Sequence, residues 1–341
     1  MRNASSAPRT LSSPFSFSFF RLPVIAQMEA ALPIPLVMKK RALGQTDLQV
    51  SEIGFGCASY WGKAQFDEAL AIGLVRQACD RGVTLFDTGH SYSDGNAELR
   101  LGRAIKGLAA KDELAISTKA GTRIDAGGRL YKDFSPAWLR TSCEESLRKI
   151  GIETIPLFHL HGPTIRDLND GVVAELQQLK ARGLVRAIGV NSFDDAVLEH
   201  ILGMNAFDFV MPDYNILSKE REPLIDRFHE RGIGVIAGAA LADALYSNRV
   251  FKVRSGKDLW YLARALKNFR SKLVRGFSYR FINDHPAISG AQVAISYVLR
   301  NPNISSAVFG TTSSKHLDEN LAAASKEIPA ALLERIAAAT P

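Results

Sequence analysis

A carboxylate, a phenol, an amine and an imidazole stand in this chain where they could share a proton. Asp87 ends the apolar stretch of Val83, Leu85 and Phe86, and Tyr92 follows it past the turn residue Gly89. Lys119 closes Leu114-Ala115-Ile116-Ser117-Thr118, and His161 closes Ile155-Pro156-Leu157-Phe158-His159-Leu160. A phenol with a pKa near 10 is a slow proton donor at pH 7 unless it is tuned. An ammonium beside it favours the phenolate, the effect expected of Lys119 on Tyr92, and a carboxylate held against the lysine keeps it charged and pointed, the role expected of Asp87. His161 can donate to a carbonyl oxygen, orienting it and stabilising developing negative charge. The set suits reduction of a carbonyl, because hydride delivery leaves an alkoxide that needs a proton. Taken singly, each residue also has a plain structural reading: Asp87 a buried cap, Tyr92 a turn aromatic, Lys119 a solvated strand end, His161 a hydrogen-bonded core residue.

The elements that position these groups follow a regular rhythm. Short apolar runs alternate with amphipathic helices from Arg41 onward, the pattern of parallel βα units. Ile53 to Cys57 is the first strand, leading to a loop with Tyr60 and Trp61, and Phe66, Leu70, Leu74 and Ala78 recur at helical spacing. The run ending at Asp87 is the second strand, and its helix carries Leu99, Ile105 and an arginine-rich outer face. Ser135 before Pro136 reads as an N-cap with proline in the first turn, with Trp138, Leu139, Leu147 and Ile150 as the apolar stripe. Further strands are expected at 185–190, 207–211, 234–238 and 307–309, and Ser289 with Gln292 reads as a capping box. No Gly-x-Gly-x-x-Gly opens a helix, which argues against a doubly wound sheet. The reading is a single-domain (β/α)8 TIM barrel, an α/β fold with its site at the carboxyl ends of the strands and an extra insertion after the seventh.

The run Asp87-Thr88, Tyr92, Gly95 and Glu98 resembles the signature of the aldo-keto reductases. Ser117-Thr118-Lys119 resembles that family's Thr-Lys, and Leu157-Phe158-His159-Leu160-His161 its Leu-x-Leu-His. The resemblance covers residues 39–341 and implies an NAD(P)H-dependent enzyme with Asp87, Tyr92, Lys119 and His161 as its catalytic four. It implies cofactor contacts at Asn191 and Ser192, where the family has Ser-Asn, and along Gly310, Thr311, Thr312, Ser313, Lys315, Glu319 and Asn320, with Gly238 and Leu241 after the seventh strand. Tyr60 and Trp61 become candidate substrate contacts. The chain departs from the family at three places. Met211 stands for the glutamine that holds the carboxamide, and Gly238-Ala239-Ala240-Leu241 lacks the tyrosine that stacks on the nicotinamide ring, with Tyr214 or Trp61 as possible substitutes. Thr312 falls where an arginine grips the 2′-phosphate. Lys315 and the hydroxyls around it still favour NADP(H) over NAD(H).

Charge narrows the partners. The net charge is +7, yet residues 246–283 hold ten Lys/Arg against Asp258 alone and residues 1–41 hold six against Glu29, so the remaining body is acidic. An acidic body with one basic insert does not make a nucleic-acid face. No apolar run reaches the roughly 18 residues of a membrane span. The expected partner is a small-molecule carbonyl or alcohol, with oligomeric state open. Cys57, Cys79 and Cys143 lack metal-ligand spacing, the seven histidines show no HExxH, and an odd cysteine count points to a reducing compartment. Residues 1–37, rich in Ser, Phe and Pro, have the composition of a transit peptide, or else translation starts at Met38 and the protein is cytoplasmic.

Within the insertion, about 246–285, Leu259, Leu262, Leu266, Phe269 and Leu273 are spaced for a helix with a basic outer face. It is either a solvated face or a cover over the barrel mouth that shapes a pocket for a polar or anionic carbonyl. Two other functions fit parts of the pattern: a lyase using Lys119 as a Schiff-base nucleophile, which would want its pKa lowered, and a nicotinamide-binding regulatory module without turnover.

Overall fold

The computed structural model describes residues 38–125, 127–242 and 275–339. Two short antiparallel strands open it, β1 (Lys40–Ala42) and β2 (Gln49–Ser51). There follow β3 (Ile53–Gly56), α1 (Glu68–Asp80), β4 (Leu85–Asp87), α2 (Asn96–Ile105) and β5 (Ala115–Ala120). A second antiparallel pair, β6 (Thr122–Ile124) and β7 (Leu130–Lys132), precedes α3 (Pro136–Ile150). Then come β8 (Ile155–His161), α4 (Asp170–Ala181), β9 (Val185–Asn191), α5 (Asp195–Leu202), β10 (Phe209–Met211), α6 (Glu222–Glu230) and β11 (Gly234–Ala237). After residues 243–274 the described chain adds α7 (Gly290–Leu299), β12 (Ser306–Phe309), α8 (Ser314–Leu321) and α9 (Ala330–Ala338). The strands β3, β4, β5, β8, β9, β10, β11 and β12 pair in parallel, and β12 returns to β3 to close the barrel. This is the (β/α)8 TIM barrel expected from the sequence.

Period-2 alternation divides each strand between two cores. Phe86, Ile116, Phe158, Ile188 and Val210 point outward into the helix layer. Leu85, Ala115, Leu157, Ala187, Phe209, Ile236 and Val308 share the interior cluster with Leu43, Leu48 and Val50 from the opening hairpin. That hairpin therefore plugs the amino-terminal end of the barrel. Arg41 fastens it, donating to the backbone oxygens of Leu299, Asn301 and Ile304 and to Glu52 Oε2 at 3.0 Å. Gly189 makes room for the plug's neighbour Phe209: a Cβ there would lie 2.7 Å from the phenyl ring.

Helix starts follow their capping chemistry. Asp67, Ser135, Asn169, Asp194 and Ser313 each accept a first-turn backbone N–H, and Ser289 with Gln292 forms the reciprocal box the sequence predicts. Caps of this kind contribute about 1 kcal/mol each.

Two helix faces differ from expectation. The buried stripe of α1 is Ala71, Leu74, Val75 and Ala78, while Leu70 is 61% exposed and Phe66 lies ahead of the helix. On α2, Leu99 is turned out and Arg100 is buried, because its guanidinium donates to the carbonyls of Trp61 at 2.6 Å and Phe66 at 2.7 Å. The helix suggested by Leu259 to Leu273 lies outside the described residues. No helix among those described is long and apolar enough to cross a membrane.

Candidate active site

Ascending the barrel interior, the side chains change from apolar to polar. On β4, Asp87 follows Leu85; on β5, Ser117 and Lys119 follow Ala115; on β8, His159 and His161 follow Leu157. Each step of two keeps the same inward face, so the apolar plug carries a polar layer above it and a second at the carboxyl rim. The register sets Asp87 opposite Ser117, Lys119 opposite His159 and His161 opposite Asn191.

The loop after β4 is tied to β5 by Thr88 N–H donating to Ser117 O and His90 N–H to Lys119 O, at 2.8 and 3.0 Å. A turn from Gly89 O to Tyr92 N brings the phenol back over the rim. Two residues that follow are conformationally costly: Ser93 and Asp94 carry positive φ, at 52° and 59°, before Gly95 at 83°. Only glycine adopts that region freely, so this run stores strain beside the phenol.

The structure brings the four expected groups together. Lys119 Nζ donates to Asp87 Oδ2 at 2.6 Å and to Thr88 O at 2.7 Å, and it lies 5.0 Å from the centre of the Tyr92 ring. The Tyr92 and His161 rings meet edge to face at 5.4 Å. Lys119 and Asp87 are buried, while Tyr92 and His161 are only partly so. Burial, the largest single influence, pushes the Asp87 carboxyl up, yet the Lys119 ammonium and His159 with their hydrogen bonds together outweigh it and hold it at about 2. For Lys119 burial disfavours the charge, and Asp87 and Tyr92 together still raise its pKa. A lysine held this firmly as ammonium is the opposite of what a Schiff-base nucleophile needs. Burial lowers His161 to about 3, helped by the charges of Lys119 and Lys132, so it is a neutral imidazole at pH 7.

Four residues join the site that the sequence reading did not single out. Ser117 Oγ donates to Asp87 Oδ1 at 2.8 Å and lies 2.7 Å from His159 Nε2. Across the rim, Lys132 of β7 donates to the His161 carbonyl and, at 3.1 Å, to Thr122 Oγ1. Thr122 Oγ1 is in turn 3.4 Å from His161 Nδ1. With its oxygen occupied by the ammonium, the hydroxyl can present its proton to Nδ1, the arrangement that leaves Nε2–H free to donate. The period-2 spacing of Ser117 to Lys119 and of His159 to His161 was the available signal for the first pair.

The expected cofactor contacts divide. Gly310, Thr311, Thr312, Ser313 and Lys315 lead from β12 into α8, where Ser313 caps the helix, and Lys315 and Gly310 are exposed. Glu319 is partly buried and Asn320 is buried on the same helix. Asn191 and Ser192 sit buried at the end of β9, with Asn191 Nδ2 donating to Met211 O at 2.8 Å. Gly238 donates to Pro212 O beside the Met211 thioether, Leu241 is partly buried, and Ala239 between them has a positive φ of 51°.

Two expected contacts are not available as drawn. Tyr214 has no exposed surface, since its hydroxyl donates to Glu222 Oε1 at 2.6 Å and Tyr297 lies alongside, so it does not replace the missing stacking tyrosine. Trp61 is 2% exposed and its indole donates to Ala71 O at 3.1 Å, which makes it a core residue under the rim. Tyr60 stays partly exposed beside Phe66. Among the described residues no group of three or more His, Cys, Asp or Glu could hold a metal ion.

Comparison with known proteins identifies the family. Residues 52–340 match the model of the aldo/keto reductase family. L-galactose dehydrogenase of Arabidopsis thaliana is 29% identical over 83% of this chain and 87% of its own length. NADH-specific methylglyoxal reductase of Escherichia coli is 26% identical over 84% and 93%. The holo form of aldo-keto reductase AKR11C1 from Bacillus halodurans superposes with a TM-score of 0.76 at 27% identity, covering 89% of this chain and 97% of that one. The chain belongs to the aldo/keto reductase family, oxidoreductases that interconvert carbonyls and alcohols with NAD(P)H.

Proposed function

We propose that this protein interconverts an aldehyde or ketone with its alcohol, with Tyr92 giving up or taking the proton at the oxygen and NADP(H) as the preferred cofactor. The observation that carries the reading is the buried Lys119–Asp87 pair at 2.6 Å with its ammonium 5.0 Å from the Tyr92 ring.

The residues at the carboxyl rim fit a dinucleotide. Partly exposed Thr311, Thr312 and Ser313 stand at the N-terminal end of α8 with exposed Lys315 beside them, a donor set that suits phosphate oxygens. Gly310 lets the chain leave β12 close against β3, where a Cβ would meet Gly56 O at 3.2 Å. Asn191 spends its amide on Met211 and keeps Oδ1 as an acceptor for a carboxamide.

Bound NAD(P)H supplies the hydride. The chain's own groups handle the oxygen. His161, neutral and with Nδ1 facing Thr122, donates from Nε2 to the carbonyl, fixing its orientation and taking up charge as the oxygen becomes alkoxide. Tyr92 transfers its phenolic proton to that oxygen, giving the alcohol. The phenolate left behind is stabilised by Lys119, whose charge Asp87 secures. In the oxidative direction the same groups run in reverse, with Tyr92 as base.

The test is a spectrophotometric screen at 340 nm with NADPH and NADH against small aldehydes, ketones and aldoses. Cofactor oxidation that needs both a carbonyl and Tyr92 supports the reading. Nucleotide binding with no turnover across the panel contradicts it.

A further inference from the structure

Below the four rim groups, His159 and Ser117 form a layer that the reaction as drawn does not use. His159 has no exposed surface and Ser117 is 1% exposed. Asp87 is a carboxylate, so it only accepts, and the single proton of Ser117 is the one given to Oδ1 at 2.8 Å. The serine oxygen must then accept, and the group 2.7 Å away is His159 Nε2. That fixes the imidazole as its Nε2–H tautomer and leaves Nδ1 bare. Nδ1 is indeed buried without a hydrogen-bond partner among the described residues, with the ring edge against Phe209 at 5.1 Å. A buried polar atom left unmatched costs about 1–3 kcal/mol, a cost that Leu or Met at this position would avoid.

We propose that His159 and Ser117 are positioning residues that set the charge balance of the Asp87–Lys119 pair and, through it, the readiness of Tyr92 to give up its proton. This rests on the role of Tyr92 proposed above. The two carboxylate oxygens of Asp87 are divided, Oδ1 to Ser117, with His159 Nε2 3.7 Å from the same oxygen, and Oδ2 to Lys119. A hydroxyl polarised by His159 draws negative charge toward Oδ1, since chained hydrogen bonds strengthen one another. Oδ2 then grips the ammonium less completely, and more of the lysine's field reaches the phenol. Without the serine proton the carboxylate is more negative, neutralises Lys119 more fully and repels a phenolate more strongly. Both effects act in one direction: they raise the titration midpoint of Tyr92. Among the described residues, His161 on β8, whose ring meets this phenol, and Lys132 on β7, which bonds the His161 carbonyl, also bring titratable groups to it, and neither is altered by the variants.

The experiment titrates Tyr92 directly in the full chain labelled with [ζ-13C]tyrosine, its resonance identified by its loss in Tyr92→Phe. Ser117→Ala is expected to raise the midpoint by about half a pH unit or more, a factor of roughly 3 in the ionisation constant. His159→Leu moves it the same way by less. His159→Gln, whose amide can still donate to the serine, stays with the parent. A midpoint unmoved or lowered in folded Ser117→Ala overturns the proposal, as does a His159→Gln change equal to that of His159→Leu. The readout needs no turnover, so a parent that fails to reduce any carbonyl removes the proposed reaction while the titration still decides this inference.

Discussion

Lys119 Nζ and Asp87 Oδ2 lie 2.6 Å apart at the top of the barrel interior, each all but removed from solvent. Separating two such charges from water is repaid only while both are present. Asp87→Asn therefore strands an ammonium and is expected to lower unfolding stability at pH 7 by about 3–5 kcal/mol. Asp87→Asn combined with Lys119→Met should regain most of it, because the remaining groups are neutral. Urea melts of the two variants check this.

Acid should act on the barrel through His159. Its folded pKa is lowered by burial from 6.5 to about 4, so the folded chain refuses a proton that the unfolded chain accepts below pH 6.5. The stability it contributes is complete above pH 6.5 and is lost progressively as pH falls toward 4. The loss is on the order of 3 kcal/mol. His159→Gln cannot titrate, and the slope of unfolding free energy against pH in that window should shrink by nearly one proton. An unchanged slope would show that the imidazole is already charged in the folded state.

The ammonium of Lys132 bonds the His161 carbonyl and Thr122, and its charge is one of the causes, after burial and Lys119, that hold His161 neutral. Lys132→Met should raise the His161 midpoint while leaving it below the ordinary value of 6.5, since burial and Lys119 remain. Histidine proton chemical shifts followed against pH give the answer.

Lys315 is exposed at the N-terminal turn of α8 beside Thr312 and Ser313. If it meets a 2′-phosphate, Lys315→Met weakens NADPH by about tenfold and NADH little, the size of one charge-assisted hydrogen bond. Parallel fluorescence titrations with both nucleotides separate the two, and equal losses would place the lysine elsewhere.

The strands of this barrel were legible because parallel strands buried on both faces read as unbroken apolar runs. Helix faces were less so. On α1 the buried positions include Ala71 and Ala78, whose small side chains add little to a periodic signal, and exposed Leu70 outweighs them. Arg100 reads as surface in any sequence, and only the carbonyls of Trp61 and Phe66, fixed by the tertiary fold, make its burial tolerable. The four rim groups came from strand ends, which sequence does mark. Ser117 and His159 stood two residues below Lys119 and His161 on the same faces, so strand alternation alone could have found them. The burial of Tyr214 and Trp61 depends on which way a loop turns after its strand, and their partners Glu222 and Ala71 carry no mark of that in the sequence.

The most direct measurement is carbonyl reduction and nucleotide affinity in Tyr92→Phe, a change that removes one oxygen and keeps the ring against His161. Loss of a positioned proton donor costs roughly 10²–10⁴ in rate, so turnover should fall into that range while the dissociation constant for NADPH stays that of the parent. Turnover equal to the parent's would contradict the account, because the proton would then reach the alkoxide by some other route.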